Sequence, residues 1–261
     1  MAESIKVVKD KEIARIILNR PEAFNSFDFE MIDAMARSIV ELASDNSVRG
    51  IVISGEGKAF CAGGDLKWAG SFPSGPGAGF HKLAASFHMM ILEIRRMGKP
   101  VIAAIHGVAA GGGFAIALAC DFRVMEETAT LRQAYTSNGL CIDGGGTFTL
   151  PRLVGLARAL EIVAFDAPIP ADKALSWGLV TKVVPKGKAE EEALNMAHEL
   201  SHISLDSFTW SKQLLTDSFN TSFETQIEHE RTGLSACAES KDGREGIQAF
   251  KEKRKPDFVP Q

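Results

Sequence analysis

The chain of 261 residues is 45% apolar and 24% charged, with a formal net charge of −4. That length holds one large domain or two small ones, the balance is that of an ordinary globular domain, and the lack of a basic excess argues against a nucleic-acid partner. The longest apolar stretch, Pro100–Cys120, is broken by His106 and by five glycine or proline positions, which reads as a buried strand and helix and not as a membrane span.

The opening MAESIKVVKDKE lacks the layout of a signal peptide, and the closing DFVPQ carries no retention or lipid signal. Cys61, Cys120, Cys141 and Cys237 show no CxxC spacing, so free thiols in a reducing, cytoplasmic setting are expected. Alternation in IKVVKD and ARIILN predicts two strands with a tight turn near Asp10–Lys11. NRPEAFNS is a loop. Phe29, Ile32, Met35, Ile39 and Leu42 recur at helical spacing, as do Phe80, Leu83, Phe87, Met90, Ile94 and Met97. GIVISG, PVIAAIHG and DFRVME read as strands, GGGFAIALAC as the start of a helix, and SFPSGPGAG as a mobile loop without periodicity. Beyond Ala157 the pattern is helical except for LVTKVVP. Strand–helix alternation of this kind is α/β architecture with crossovers. We divide it into a core over residues 1–195 and a helical region over residues 196–261.

Two glycine clusters, Gly63–Gly64 and Gly111–Gly113, each fall between a strand and a helix. Such glycines serve close packing, or present free N–H groups to an anion or a developing oxyanion. Neither cluster fits GxxxxGK[ST] or GxGxxG, which disfavours a phosphate loop or a dinucleotide site.

The runs VISGEGKAFCAGGDLK and KPVIAAIHGVAAGGGFAIALACDFRV, followed by TFTLPRLVGLARALE, ALSWGLVTKVV and EGIQAFKEKRKPDF, resemble the crotonase (enoyl-CoA hydratase/isomerase) superfamily along nearly the whole chain. The resemblance implies a spiral of ββα units with a C-terminal helical trimerisation region and an acyl-CoA thioester as substrate. It also implies a homotrimer or a hexamer built as a dimer of trimers. No metal or redox cofactor is implied; coenzyme A enters as part of the substrate. No membrane or nucleic-acid partner is implied either. Carried over by residue, the oxyanion donors are the N–H groups of Gly64 and Gly112. Asp65 caps the helix that starts at Leu66. Ala23 and Phe24 fall in the loop that meets the nucleotide, where Glu22 stands in place of the family's frequent Lys or Arg. Ala62 and Leu66 neighbour the adenine and pantetheine. The run KEKRK is either a phosphate contact or a solvated helix end.

Family hydratases use two glutamates, and the matching positions here are Ala115 and Tyr135. Alanine moves no proton and tyrosine is a weak acid, so syn-hydration is not expected. Asp143 remains. IDGGGTFTLPRLVG resembles the corresponding stretch of epoxyphenylacetyl-CoA isomerase-like proteins and of Δ3-Δ2-enoyl-CoA isomerases, where the acid is the proposed base. An isomerase needs only one such carboxylate, here a proton shuttle in an apolar pocket of Leu140, Ile142 and Phe148. Tyr135 is then a wall or a hydrogen-bond partner beside the acyl group. From spacing alone, Asp143 could instead be a turn residue capping the TFTLPRLVG helix. His88 matches a histidine of 4-chlorobenzoyl-CoA dehalogenases, and with Asp143 as nucleophile it implies a dehalogenase or thioester hydrolase. A partly buried helix histidine is the plainer reading. A third alternative is an acyl-CoA-binding relative without hydratase activity.

Overall fold

The computed structural model describes residues 3–259. Met1 and Ala2, from the stretch read against a signal peptide, lie outside the described residues, as do Pro260 and Gln261 of DFVPQ. Strands β1 (Ile5–Asp10) and β2 (Ile13–Leu18) form the predicted hairpin and lead to helix α1 (Phe29–Ser44) and strand β3 (Gly50–Gly55). Helices α2 (Leu66–Gly70) and α3 (Pro76–Arg96) follow, then β4 (Val101–Ile105), β5 (Val108–Ala110), α4 (Gly112–Ala119), β6 (Phe122–Glu126) and β7 (Thr130–Arg132). The rest comprises α5 (Gly146–Val154), α6 (Leu156–Phe165), β8 (Ile169–Pro170), α7 (Ala171–Ser176), β9 (Lys182–Val184), α8 (Ala189–Ser201), α9 (Leu205–Asp217), α10 (Phe223–Glu239) and α11 (Lys241–Glu252).

The main sheet has strand order β1-β2-β3-β4-β6-β9 and is parallel throughout except for the β1–β2 hairpin. A smaller sheet, β5-β7-β8, runs alongside. The chain passes repeatedly from the main sheet to the small one and then into helix. After β3 it reaches Cys61, which bridges to Ala109; β4 is followed by β5 and α4; β6 is followed by β7. Each passage needs a sharp corner. At Gly107 the corner takes φ +60°, and a Cβ there would lie 2.0 Å from the Lys58 carbonyl oxygen, so only glycine fits. The outcome is the α/β spiral of ββα units expected from the sequence, with a C-terminal helical region.

The central strands are apolar on both faces, as a covered parallel sheet requires. Ile51 and Ile53 of β3 and Val101, Ala103 and Ile105 of β4 enter the larger core. The alternate residues Val52, Ile102 and Ala104 pack with Ala189, Ala193 and Ala197 of α8. Helix α8 thus crosses the 195/196 division while packing on the sheet. Helix α1 buries Met31, Ile32, Met35, Ile39 and Leu42 along one stripe. It is capped by Asp28, whose carboxylate accepts from Met31 N at 3.0 Å.

Two expectations change. The stretch beyond Ala157 is interrupted by β8, which pairs with β7, and SFPSGPGAG is not wholly loop, because α3 begins inside it at Pro76. Proline is preorganised for a helix's first position, and Gly79 lets the new helix press on α2, where a Cβ would sit 2.9 Å from the Ala69 oxygen. Periodicity is silent over GPGAG because three of its five residues are glycines, which carry no side chain to mark a face. No helix among the described residues is long and apolar enough to cross a membrane.

Candidate active site

Two backbone donors meet where the spiral's first and second passages touch. Phe27 and Gly64 form a parallel bridge in which Phe27 N donates to Gly63 O and Asp65 N donates to Phe27 O. That pattern leaves Gly64 N unused. Gly112 opens α4, so its N–H lies in the first turn, beyond the reach of intrahelical acceptors. Among the described residues neither N–H donates to a protein acceptor. Gly63 makes their approach possible: at φ +97°, a Cβ there would stand 2.9 Å from Gly112 N and from Ala110 O. A Cβ on Gly112 would lie 3.6 Å from Gly64 N and would collide with the Phe27 ring at 2.4 Å. The positive end of the wholly buried helix α4 adds to the pull on negative charge there.

Both donors open on a cavity of about 490 Å³. Its walls are chiefly apolar, with Phe27, Phe80, Leu83, Phe87 and Leu140, and Asp143 is the only carboxylate among its lining residues. Tyr135 OH donates to Asp143 Oδ1 at 2.6 Å. Burial, and then the charge of the Asp143 carboxylate, hold the phenol's pKa above its ordinary value, so Tyr135 remains a donor. Its backbone is fixed from below. Tyr135 N donates to Gln133 Oε1 at 3.1 Å, and Ala134, strained at φ +53°, donates its N–H to Asp166 Oδ1 at 2.8 Å. Arg132 Nε in turn donates to the Asp166 carbonyl at 2.9 Å.

Asp143 does not cap α5. The cap position is Gly145, without a side-chain bond, and only the Asp143 carbonyl contributes, accepting from Gly146 N at 3.0 Å. The expected apolar pocket needs correction. Leu140 shares Asp143's cavity, but Ile142 and Phe148 do not line it. Ile142 packs over Gly146, and Phe148 turns away to stack under the guanidinium group of Arg152 at 3.3 Å. The Asp143 side chain is accordingly 36% exposed. Gly144 takes φ +58° and backs onto Phe87 and Ala115, where a Cβ would lie 2.5 and 3.0 Å away. Ala115, at one of the positions that carry glutamate in family hydratases, is only 2% exposed and is not part of the cavity wall.

His88 lies on the other side of this junction. Its Nε2 accepts from Gly144 N at 3.3 Å and is 3.7 Å from Asp143 Oδ2, too far for a hydrogen bond. Asp65 is committed to structure: Oδ1 accepts from Lys67 N and Trp68 N, and Oδ2 meets Arg20 at 3.2 Å. Burial works to raise its pKa, but these donors leave it lowered. Ala62 and Leu66 line the cavity mouth, and Ala62 N donates to Phe24 O, which ties the Ala23–Phe24 loop to the same rim. Arg254 of KEKRK is engaged by Glu245 and Glu252. The cavity wall also carries His81, to which the sequence reading gives no role, and Cys141, read there only as a free thiol.

A family model described as Enoyl-CoA hydratase/isomerase matches residues 9–261. The chain is 32% identical to the 1,2-epoxyphenylacetyl-CoA isomerase of Escherichia coli (strain K12) over 260 residues, 99% of each chain. It is 31% identical to the crotonyl-CoA hydratase of Syntrophomonas wolfei over 258 residues, 98% of each. The solved enoyl-CoA hydratase from Polaromonas sp. JS666 superposes with a TM-score of 0.93 at 33% identity, covering 98% of this chain and 99% of that one. The chain belongs to the enoyl-CoA hydratase/isomerase family, within the crotonase superfamily.

Proposed function

We propose that the protein is an acyl-CoA isomerase that moves a double bond, or isomerises a ring, through a thioester enolate. One observation carries this reading: among the described residues, Asp143 is the only acid lining the cavity that also holds the free N–H groups of Gly64 and Gly112. The thioester oxygen would sit on the two donors, each worth ~3 kcal/mol of barrier when charge develops on it. Asp143 would take a proton from the carbon α to the thioester and return it two carbons away. Tyr135, kept protonated, orients the carboxylate and leaves Oδ2 free to work. Only a proton moves, so the reaction as proposed asks for no metal or redox cofactor beyond the CoA of its substrate. Water addition is disfavoured because Ala115 is buried beneath Gly144 and Tyr135 already engages Asp143.

Asp143→Asn is expected to abolish migration in a 3-enoyl-CoA while CoA binding stays near wild type. Undiminished turnover in that variant would sink the proton-shuttle assignment. The nucleophilic alternative has the nearness of His88 to Asp143 in its favour. It predicts a covalent aryl ester on Asp143, detected by mass spectrometry after mixing with a haloaryl-CoA. Assembly as a trimer or dimer of trimers would cover exposed apolar residues of the C-terminal region such as Phe223, Leu234 and Phe250.

A further inference from the structure

A second cavity, of about 690 Å³, lies back to back with the first. Phe87 and Asp143 line the first; their chain neighbours His88 and Gly144 line the second. Adjacent residues of the chain thus face different cavities at this junction, and His88 is the side chain that lies there against Gly144. That side chain is 49% exposed and held by a single 3.3 Å bond from Gly144 N.

The far end of the second cavity is cationic. Arg95 and Arg96 of α3 line it, with Gln213 and Asn220 as neutral partners and Asp217 as its one carboxylate. Arg95 lies 5.2 Å from the Phe148 ring, whose other guanidinium neighbour, Arg152, is 3.3 Å away. Arg152 Nη1 bonds to Phe148 O, but its buried Nε has no partner among the described residues. None of the three guanidinium groups is ion-paired with a carboxylate among the described residues, in contrast to Lys212 nearby, which is paired to Asp121 at 2.8 Å. Burial first, and then the charge of Arg152, lower the pKa of Arg95, while the charges of Asp121 and Asp217 act in the opposite sense. Gathering cations in this way costs energy unless an anion completes the set, and arginine forks suit a carboxylate.

We propose that this second cavity is a subsite for a carboxylate at the far end of the acyl group, received by Arg95 and Arg96. The proposal rests on the reading of Asp143's cavity as the acyl pocket, and it narrows the substrate class to acyl-CoA thioesters with a distal carboxylate. Geometry sets their length. His88 and Arg95 are seven residues apart on one face of α3, a rise of about 10 Å. A chain that ends near Asp143 cannot reach the arginines; one that passes the His88 ring can.

The test uses matched pairs of 3-enoyl-CoA thioesters, short and long, each ending in either a methyl or a carboxylate. For the long pair, the wild-type protein is expected to show about tenfold higher kcat/KM with the acid-ended thioester. The short pair should show no such advantage. In Arg95→Met and in the Arg95→Met/Arg96→Met double variant the long-pair ratio should fall to about one, with Arg95→Lys between. A wild-type ratio near one, or a ratio untouched by the substitutions, overturns the subsite. If no thioester turns over, the isomerase reading fails on its own. Calorimetry with saturated long-chain acyl-CoAs then decides the subsite, through tighter binding of the acid-ended form that Arg95→Met abolishes. Free dicarboxylate binding to the cavity while acid-ended thioesters gain nothing would identify an independent anion site and overturn the acyl-end assignment. Thermal melts of each variant are run alongside. A ratio that changes only in variants with collapsed melts, and is retained in folded Arg95→Lys at the wild-type value, also overturns it.

Discussion

Tyr135 donates its phenolic hydrogen to Asp143 Oδ1 at 2.6 Å, and so the one tyrosine of the chain fixes the one acid of the cavity. The bond consumes one carboxylate oxygen and aims the other. It is a charge-assisted bond to a partly buried acceptor, a class worth more than a neutral pair. Tyr135→Phe is expected to leave the fold and CoA binding intact and to lower kcat about tenfold. A steady-state assay of that variant decides the point: if kcat holds and only KM rises, Tyr135 is merely a wall of the acyl pocket.

The two glycines proposed as oxyanion donors are not equivalent. A Cβ on Gly112 strikes the Phe27 ring at 2.4 Å, whereas on Gly64 its nearest neighbours are Leu83 and Phe27 side-chain atoms at 3.4 and 3.7 Å. Gly112→Ala must therefore displace either Phe27 or the donor itself. It is expected to lower kcat by about 10²–10³, as loss of an oxyanion donor does. Gly64→Ala keeps its backbone geometry and should act mainly on KM by narrowing the cavity. Equal kcat losses in the two variants would refute this asymmetry.

Much of this arrangement was legible in the residues. Strands β3 and β4 announce themselves as short apolar runs, and α1 as a regular stripe, because each side chain there answers to one neighbouring layer. The glycine clusters stood out at strand ends, but only the family resemblance singled out Gly64 and Gly112 within them as the proposed donors. Other features were not legible, for identifiable reasons. Phe148 was assigned to the acid's pocket, yet cation stacking with Arg152 draws it the other way, and no local pattern encodes that choice. The Tyr135–Asp143 bond depends on the strained Ala134 and on Asp166, more than thirty residues downstream. The second cavity is built from α3, α5 and α9, whose meeting is a property of the fold and not of any one segment.

The thiols sort by burial. Burial pushes Cys61 and Cys120 up to about 12, so near pH 8 they remain thiols and unreactive. Cys141 is exposed and lines the cavity that Gly64, Gly112 and Asp143 share. A bulky maleimide at pH 8 is expected to label Cys141 ahead of the buried pair and to block turnover, and an acyl-CoA should slow the labelling. Peptide mapping with residual activity checks this; full activity after stoichiometric labelling of Cys141 would remove that residue from the acyl pocket.

The segment that follows α11 is clasped by a carboxylate. Glu245 meets Arg254 and accepts from Asp257 N at 2.9 Å. The Arg254 bond first, and then the Asp257 N–H, hold its pKa down to about 2 from an ordinary 4.5. The folded value lies below the unfolded one, so the clasp contributes in full above about pH 4.5 and is lost as pH falls towards about 2. The group is fully exposed, so its bonds are open to screening by salt. The Asp257 amide resonance should titrate within that window in the wild-type protein, with a midpoint that rises as salt is added. Glu245→Gln should flatten the titration, since an amide cannot change charge; the same titration in that variant would assign it to another group.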